Sequence, residues 1–131
     1  MPKWGSLLRR ARRLIRNPEE LLATLAKGLA KAYSKRTVLV KIFEDFLTLF
    51  RLVKAWVLGE YREVPRTTIL WAVLAIVYFL SPLDAILDIL PGGYIDDIAM
   101  ISFILGRIKP DLDRFAVWEG KKKKTEEEGE K

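Results

Sequence analysis

The stretch that most limits how this chain can fold is Thr67 to Leu83, TTILWAVLAIVYFLSPL, seventeen residues in a row without a charge. It shows neither strict alternation nor a one-sided helical stripe, so a surface strand and a surface helix both fit it poorly. A segment apolar on every side belongs either at the centre of a bundle or in lipid. Ser81-Pro82-Leu83-Asp84 then interrupts it with a helix-start pattern: Ser81 as N-cap, Pro82 at the first helical position, Asp84 at the third. The expected order is a helix over 66–80, a break, and a short helix over 82–90. Pro91-Gly92-Gly93 makes a tight turn. Ile95–Ile108 forms the last apolar helix, with Asp96 and Asp97 in its first turn and Lys109-Pro110 as its stop. Residues 111–118 add at most one short helix.

Length decides how this segment meets a membrane. Thr67–Leu80 is 14 residues, about 21 Å of helix against a hydrocarbon core of about 30 Å. Continuing to Leu90 gives about 36 Å but takes in Asp84 and Asp88. Thirteen Leu, Ile, Val and Phe residues there contribute about −4 to −8 kcal/mol on an insertion scale, and two aspartates cost about 5–7 kcal/mol at mid-bilayer. The balance favours insertion only if the acids lie near the headgroups. Arg62 and Arg66 precede the first arm and Arg107 and Lys109 follow the second, so both ends of the hairpin stay cytoplasmic under the positive-inside rule. The expectation is a hairpin inserted partway, with a transmembrane or re-entrant character and shielded by the preceding helices. The alternative is a soluble bundle with Trp71–Leu80 as its central helix.

Three helices come first. Residues 4–16 place Trp4, Leu7, Leu8, Ala11, Leu14 and Ile15 on one face, while Arg9, Arg10, Arg12, Arg13 and Arg16 fill the rest. Asn17-Pro18-Glu19-Glu20 starts a second helix running to about Lys35, with Asn17 as N-cap and an apolar face of Leu21, Leu22, Leu25, Leu29 and Tyr33. The third, about 37–58, carries Leu39, Ile42, Phe43, Phe46, Phe50, Val53, Trp56 and Val57, and Gly59 suits its C-cap. The tail GKKKKTEEEGEK is expected to be disordered. No strand pattern or internal repeat is present.

Charge is divided between the halves. Residues 1–66 hold 15 Lys/Arg against 6 Asp/Glu, and residues 67–131 hold 8 against 11. The basic half calls for an anionic partner. An amphipathic, arginine-rich helix with Trp4 at one end fits an anionic leaflet, which makes Trp4, Arg9, Arg10, Arg12, Arg13 and Arg16 the candidate membrane-surface residues. Nucleic acid is disfavoured, since no base-stacking platform or helix-turn-helix glycine pattern appears. The start of the chain lacks the apolar run and cleavage site of a signal peptide. With no Cys and no His, thiolate metal sites, disulfides and Ser-His-Asp or Cys-His catalysis are excluded. No catalytic residue and no cofactor is assigned.

Asp84, Asp88, Asp96 and Asp97 stand out, because an unpartnered carboxylate beside so much Leu and Ile is costly to bury. Helix-start capping accounts for them best: Asp84 in the box begun by Ser81, Asp96 and Asp97 where a helix dipole favours anions, Asp88 against the glycine turn. A Mg²⁺ or Ca²⁺ site built from these oxygens is the alternative.

The stretch YFLSPLDAILDILPGGYIDD resembles the hallmark of the YkvA-like family, domain of unknown function 1232: Tyr, a short gap, Pro-x-Asp-x-x-Pro-Asp-x-x-Pro, a glycine turn, then Asp-Asp. Tyr78, Pro82, Asp84, Asp88, Pro91, Gly93, Asp96 and Asp97 match it; Leu87 replaces the usual second Pro, and the turn is about one residue shorter. The likeness covers about residues 67–107. It implies a small membrane-associated helical domain of bacterial proteins with no agreed activity.

The expectation is an all-α bundle of about five to six helices: a basic amphipathic region (1–66), a YkvA-like hydrophobic hairpin (67–110) and a disordered charged tail (119–131). The function expected is that of a non-enzymatic scaffold or interaction module at the bacterial cytoplasmic membrane, its partners an anionic leaflet and a protein or second copy. The alternatives are a soluble helical module binding protein or nucleic acid, and a carboxylate-bound divalent-metal protein.

Overall fold

The computed structural model describes residues 4–80 and 93–129. The described residues form five helices and no strand: α1 Trp4–Ile15, α2 Pro18–Ser34, α3 Phe43–Val57, α4 Arg66–Leu80 and α5 Gly93–Gly129. The expected helix over 82–90, with Ser81, Pro82, Asp84, Asp88 and Pro91, lies outside the described residues.

Helix α4 is the centre. Ten of its 15 residues are buried, and α1, α2, α3 and α5 all pack on it. Ile69, Ala72, Val73, Ala75, Ile76 and Val77 are fully covered, which is how a helix apolar on all sides avoids water. The α4 and α5 arms run antiparallel, so that Arg107 meets Trp71 and Asp111 meets Thr68. The basic N-terminal region and the hydrophobic arms share one core, from Leu7 in α1 to Phe115 in α5.

The junction between α1 and α2 departs from expectation. Pro18 opens α2, with Glu19 and Glu20 in its first turn, but Asn17 makes no side-chain cap. Its Nδ2 instead donates to the Arg13 carbonyl at 2.7 Å. Two helices this close leave the last carbonyls of α1 beside the first amides of α2, and Asn17 serves the former. Glu20 closes the joint by accepting from Arg13 at 3.0 Å.

Helix α3 begins later than its apolar stripe suggests, at Phe43. Residues 35–42 form successive turns, with Val38 N–H and Leu39 N–H both donating to the Lys35 carbonyl at 3.0 Å. Thr37, Val38 and Val40 are β-branched and resist a first helical turn, while Leu39 is buried. The far end of α3 fits the sequence reading. Gly59 has φ +77°, its N–H donates to the Trp56 carbonyl at 3.1 Å and that of Glu60 to the Ala55 carbonyl at 2.9 Å, a pair of bonds that needs a residue in the left-handed region. On α2, Leu21 and Leu25 are buried as expected, but Tyr33 is 48% exposed and Thr24, Gly28 and Ala32 take the inner positions.

The largest correction concerns α5. Lys109-Pro110 does not stop it: Pro110 lies inside a helix of 37 residues that runs on through the segment expected to be a disordered tail, as far as Gly129. An internal proline costs about 3 kcal/mol, and the flanking contacts offset it. Ile108, Leu112 and Phe115 are buried. Lys109 donates to Asp45 at 2.7 Å, Arg51 to Glu119 at 3.1 Å and Lys122 to Glu60 at 2.7 Å, so α3 and its following turn bind α5 along its length in parallel. In the same seam Phe115 and Trp118 stack at a ring separation of 5.6 Å, and Tyr61 meets them edge-on at 5.1 Å and tilted at 5.0 Å respectively. The charge pairs shift these groups in the expected directions: hydrogen bonding to Lys122 holds Glu60 below the usual carboxylate range, and hydrogen bonding to Glu60 and Asp45 raises Lys122 and Lys109.

Among the described residues no helix is long and apolar enough to cross a membrane. The expected transmembrane character therefore finds no support in α4: at 15 residues it spans about 22 Å, and ten of those residues are buried by the chain's own helices.

Candidate functional site

The motif is reached from both sides. Tyr78 is buried in the last turn of α4. Beside it, the Lys31 ammonium of α2 donates to the Phe79 carbonyl at 2.6 Å and stands 4.7 Å above the Phe79 ring. On the far side Gly93 opens α5, and Asp96 and Asp97 fall at its start, where free amides and the helix dipole favour acids. Their side chains, and Ser81, Pro82, Asp84, Asp88 and Pro91 entirely, lie outside the described residues, as do the capping and cation-site readings that depend on them. Among the described residues no cluster of three or more acids could hold a metal ion.

The candidate membrane-surface helix α1 is arranged differently from a helix lying alone on lipid. Leu7, Ala11, Leu14 and Ile15 are buried against the bundle, and Arg9, Arg10, Arg12, Arg13 and Arg16 face outward. The apolar side of α1 is therefore spent on the protein core and only its cations are presented. The side chain of Trp4 is outside the described set.

Apolar surface reappears next to those cations. A groove of about 500 Å³ runs between α1, α4 and α5, lined by Leu8, Thr67, Leu70, Trp71, Leu74, Met100 and Phe103. Phe103 on its rim is 60% exposed. A second depression of about 270 Å³ is lined by Arg12, Ile15, Arg16, Arg66, Thr67 and Leu70. The two adjoin at Thr67 and Leu70 and together make a channel-shaped surface, cationic at the Arg66 end and apolar toward Leu74. It follows from the antiparallel pairing of α1 with α4, which sets Leu8 beside Leu74 and Arg16 beside Arg66. Arg107 adds a fourth cation 5.5 Å from the Trp71 ring. Asp111, four residues after Arg107 on α5, is engaged by Thr68 and Arg114.

Of the arginines expected at the site, Arg12 and Arg16 line this channel, whereas Arg13 is paired to Glu20. Sequence reasoning did not group Leu8, Leu70, Trp71, Met100 and Phe103. The signal lay in α5, where Met100, Phe103 and Arg107 recur at three- and four-residue spacing on one face.

A family model described as "Protein of unknown function (DUF1232)" matches residues 68–103. The "Uncharacterized membrane protein YkvA" of Bacillus subtilis (strain 168) is 35% identical over 89 residues, covering 67% of this chain and 84% of that relative. No solved structure matches the chain.

Proposed function

Since the chain belongs to the YkvA-like DUF1232 family, we propose that it is a membrane-associated helical protein that docks on an anionic leaflet and serves there as a scaffold or interaction module, not as an enzyme. The observation that carries this reading is the single face on which an exposed apolar groove adjoins Arg12, Arg16, Arg66 and Arg107. A relative named as a membrane protein supports it. Each cation near an anionic surface contributes about 1 kcal/mol, so four give about 4 kcal/mol. That attraction fades beyond about 8 Å at physiological salt. Insertion of Phe103 and neighbouring apolar groups adds to it. Docking by this face leaves α4 inside its bundle; in this reading the protein lies on the cytoplasmic leaflet of a bacterial membrane with both chain ends on that side, and the α2/α3 face receives a protein partner.

Co-sedimentation with vesicles tests the reading. Binding is expected to vesicles containing phosphatidylglycerol and not to pure phosphatidylcholine, to weaken with added salt, and to fall at least tenfold in Arg12→Gln/Arg66→Gln. Equal binding to neutral vesicles, or none to either, overturns it. Extraction by carbonate distinguishes surface docking, which is released, from insertion, which is retained.

A further inference from the structure

The channel has the polarity of one amphiphile. Its lining at the α5 end carries no charged side chain, and its only strong hydrogen-bonding side-chain groups are the Thr67 hydroxyl and the Trp71 indole N–H; backbone groups inside helices are already paired, so an apolar chain is the ligand class that end suits. At the other end Arg12, Arg16 and Arg66 line a smaller depression, and guanidinium donors are the chemistry that matches a phosphate. No described residue neutralises Arg12, Arg16 or Arg66 by an ion pair. A second copy of the chain fits badly there. Two-fold docking of this face on itself would set the arginines of one copy either against those of the other or on its apolar groove, and neither arrangement gives them a counter-charge.

From this we propose that the α1/α4/α5 channel seats a single anionic phospholipid, with an acyl chain in the groove beside Trp71 and the phosphate between Arg12, Arg16 and Arg66. The proposal rests on the membrane reading above and goes further than it. Docking by surface charge needs no individual lipid, whereas a seated lipid has a saturable site and a defined stoichiometry. Trp71, which lines the groove and stacks under Arg107, is the natural reporter.

The experiment titrates the full chain with monomeric lysophosphatidylglycerol carrying a brominated acyl chain, below its micelle-forming concentration, and follows tryptophan fluorescence. Expected are saturable quenching near one lipid per chain, its loss in Trp71→Phe, and at least tenfold weaker binding in Arg12→Gln/Arg66→Gln. Filling the groove with Leu70→Phe/Met100→Phe is expected to abolish quenching while the thermal midpoint and helical signal stay near wild type. Should that variant not fold, Leu8→Phe alone serves, with a partial loss expected. Glycerol phosphate, which has the phosphate and no chain, is expected not to compete. Quenching that survives Trp71→Phe, fails to saturate, or is displaced equally by glycerol phosphate overturns the proposal. So does a dimer that dissociates when the groove is filled, or an absence of quenching because the chain covers its own groove. Absent lysolipid quenching with intact sedimentation on anionic vesicles sinks this inference and leaves surface docking standing; loss of both sinks both.

Discussion

Lys31 of α2 holds the end of α4 twice over: its ammonium donates to the Phe79 carbonyl at 2.6 Å and lies 4.7 Å above the ring of the same residue. A cation at a helix C-terminus meets the negative end of the dipole, and a charged donor on a backbone carbonyl is among the stronger hydrogen bonds. This side chain fixes the point from which the chain leaves for the aspartate-rich segment.

Lys31→Met keeps the aliphatic stem and removes the charge. A loss of about 1–2 kcal/mol is expected, read as a lower urea midpoint at unchanged slope. An unchanged midpoint would show that the ammonium is replaceable by water.

Gly28 sits where α2 crosses α3 and α4. A Cβ there would meet Phe50 Cε1 at 2.8 Å and Ile76 Cγ2 at 3.3 Å, whereas one at Gly106 in α5 would meet nothing within 4 Å. Gly→Ala in a helix ordinarily stabilises by about 0.5–1 kcal/mol. Gly106→Ala is expected to do so, and Gly28→Ala to destabilise by about 1–3 kcal/mol through overpacking. Opposite shifts in thermal midpoint are the check.

How much of this was legible in the sequence differs from helix to helix. The bounds of α4 were readable because Pro65-Arg66 on one side and Ser81-Pro82 on the other punctuate an uncharged run, which is local information. The course of α5 was not, because past Pro110 it is held by packing of Phe115 and Trp118 on Tyr61 and by ion pairs to Asp45, Arg51 and Glu60, residues more than 50 positions earlier in the chain. The site was half readable. Arg12 and Arg16 stood out as part of an arginine cluster. Leu8, Trp71 and Phe103 each look like ordinary core residues until three helices bring them to one open groove.

Pro110 gives a direct test of that long-range support. Pro110→Ala restores a backbone donor to the Gly106 carbonyl and removes the ring clash, so a gain of about 1–3 kcal/mol is expected. A loss instead would mean that the proline shapes the α3/α5 seam and is not merely endured by it.

The same seam sets a pH dependence. Burial, helped by Glu63, raises the Tyr61 phenol above its ordinary value, and ion-pair partners raise Lys109 and Lys122. For all three the folded state holds its proton more tightly than the unfolded one. Their contribution is complete below the unfolded values, about 10, and is lost as pH rises through the folded ones. The thermal midpoint is expected to fall steeply above about pH 10. Tyr61→Phe should flatten that fall while leaving the midpoint at pH 8 little changed, a pair of measurements that separates the phenol from the lysines.

The central position of α4 also has a meaning in time. A ribosome delivers α1, α2 and α3 first, yet the surface that satisfies all three arrives only with residues 66–80. From Val57 to Leu80 is 23 residues, about 1–5 s of synthesis. Throughout that interval the nascent chain carries three sticky helices and no keystone, and the core closes only once the helix that carries Phe115 has followed, so its apolar faces stay open to chaperones or to a nearby bilayer until late in synthesis.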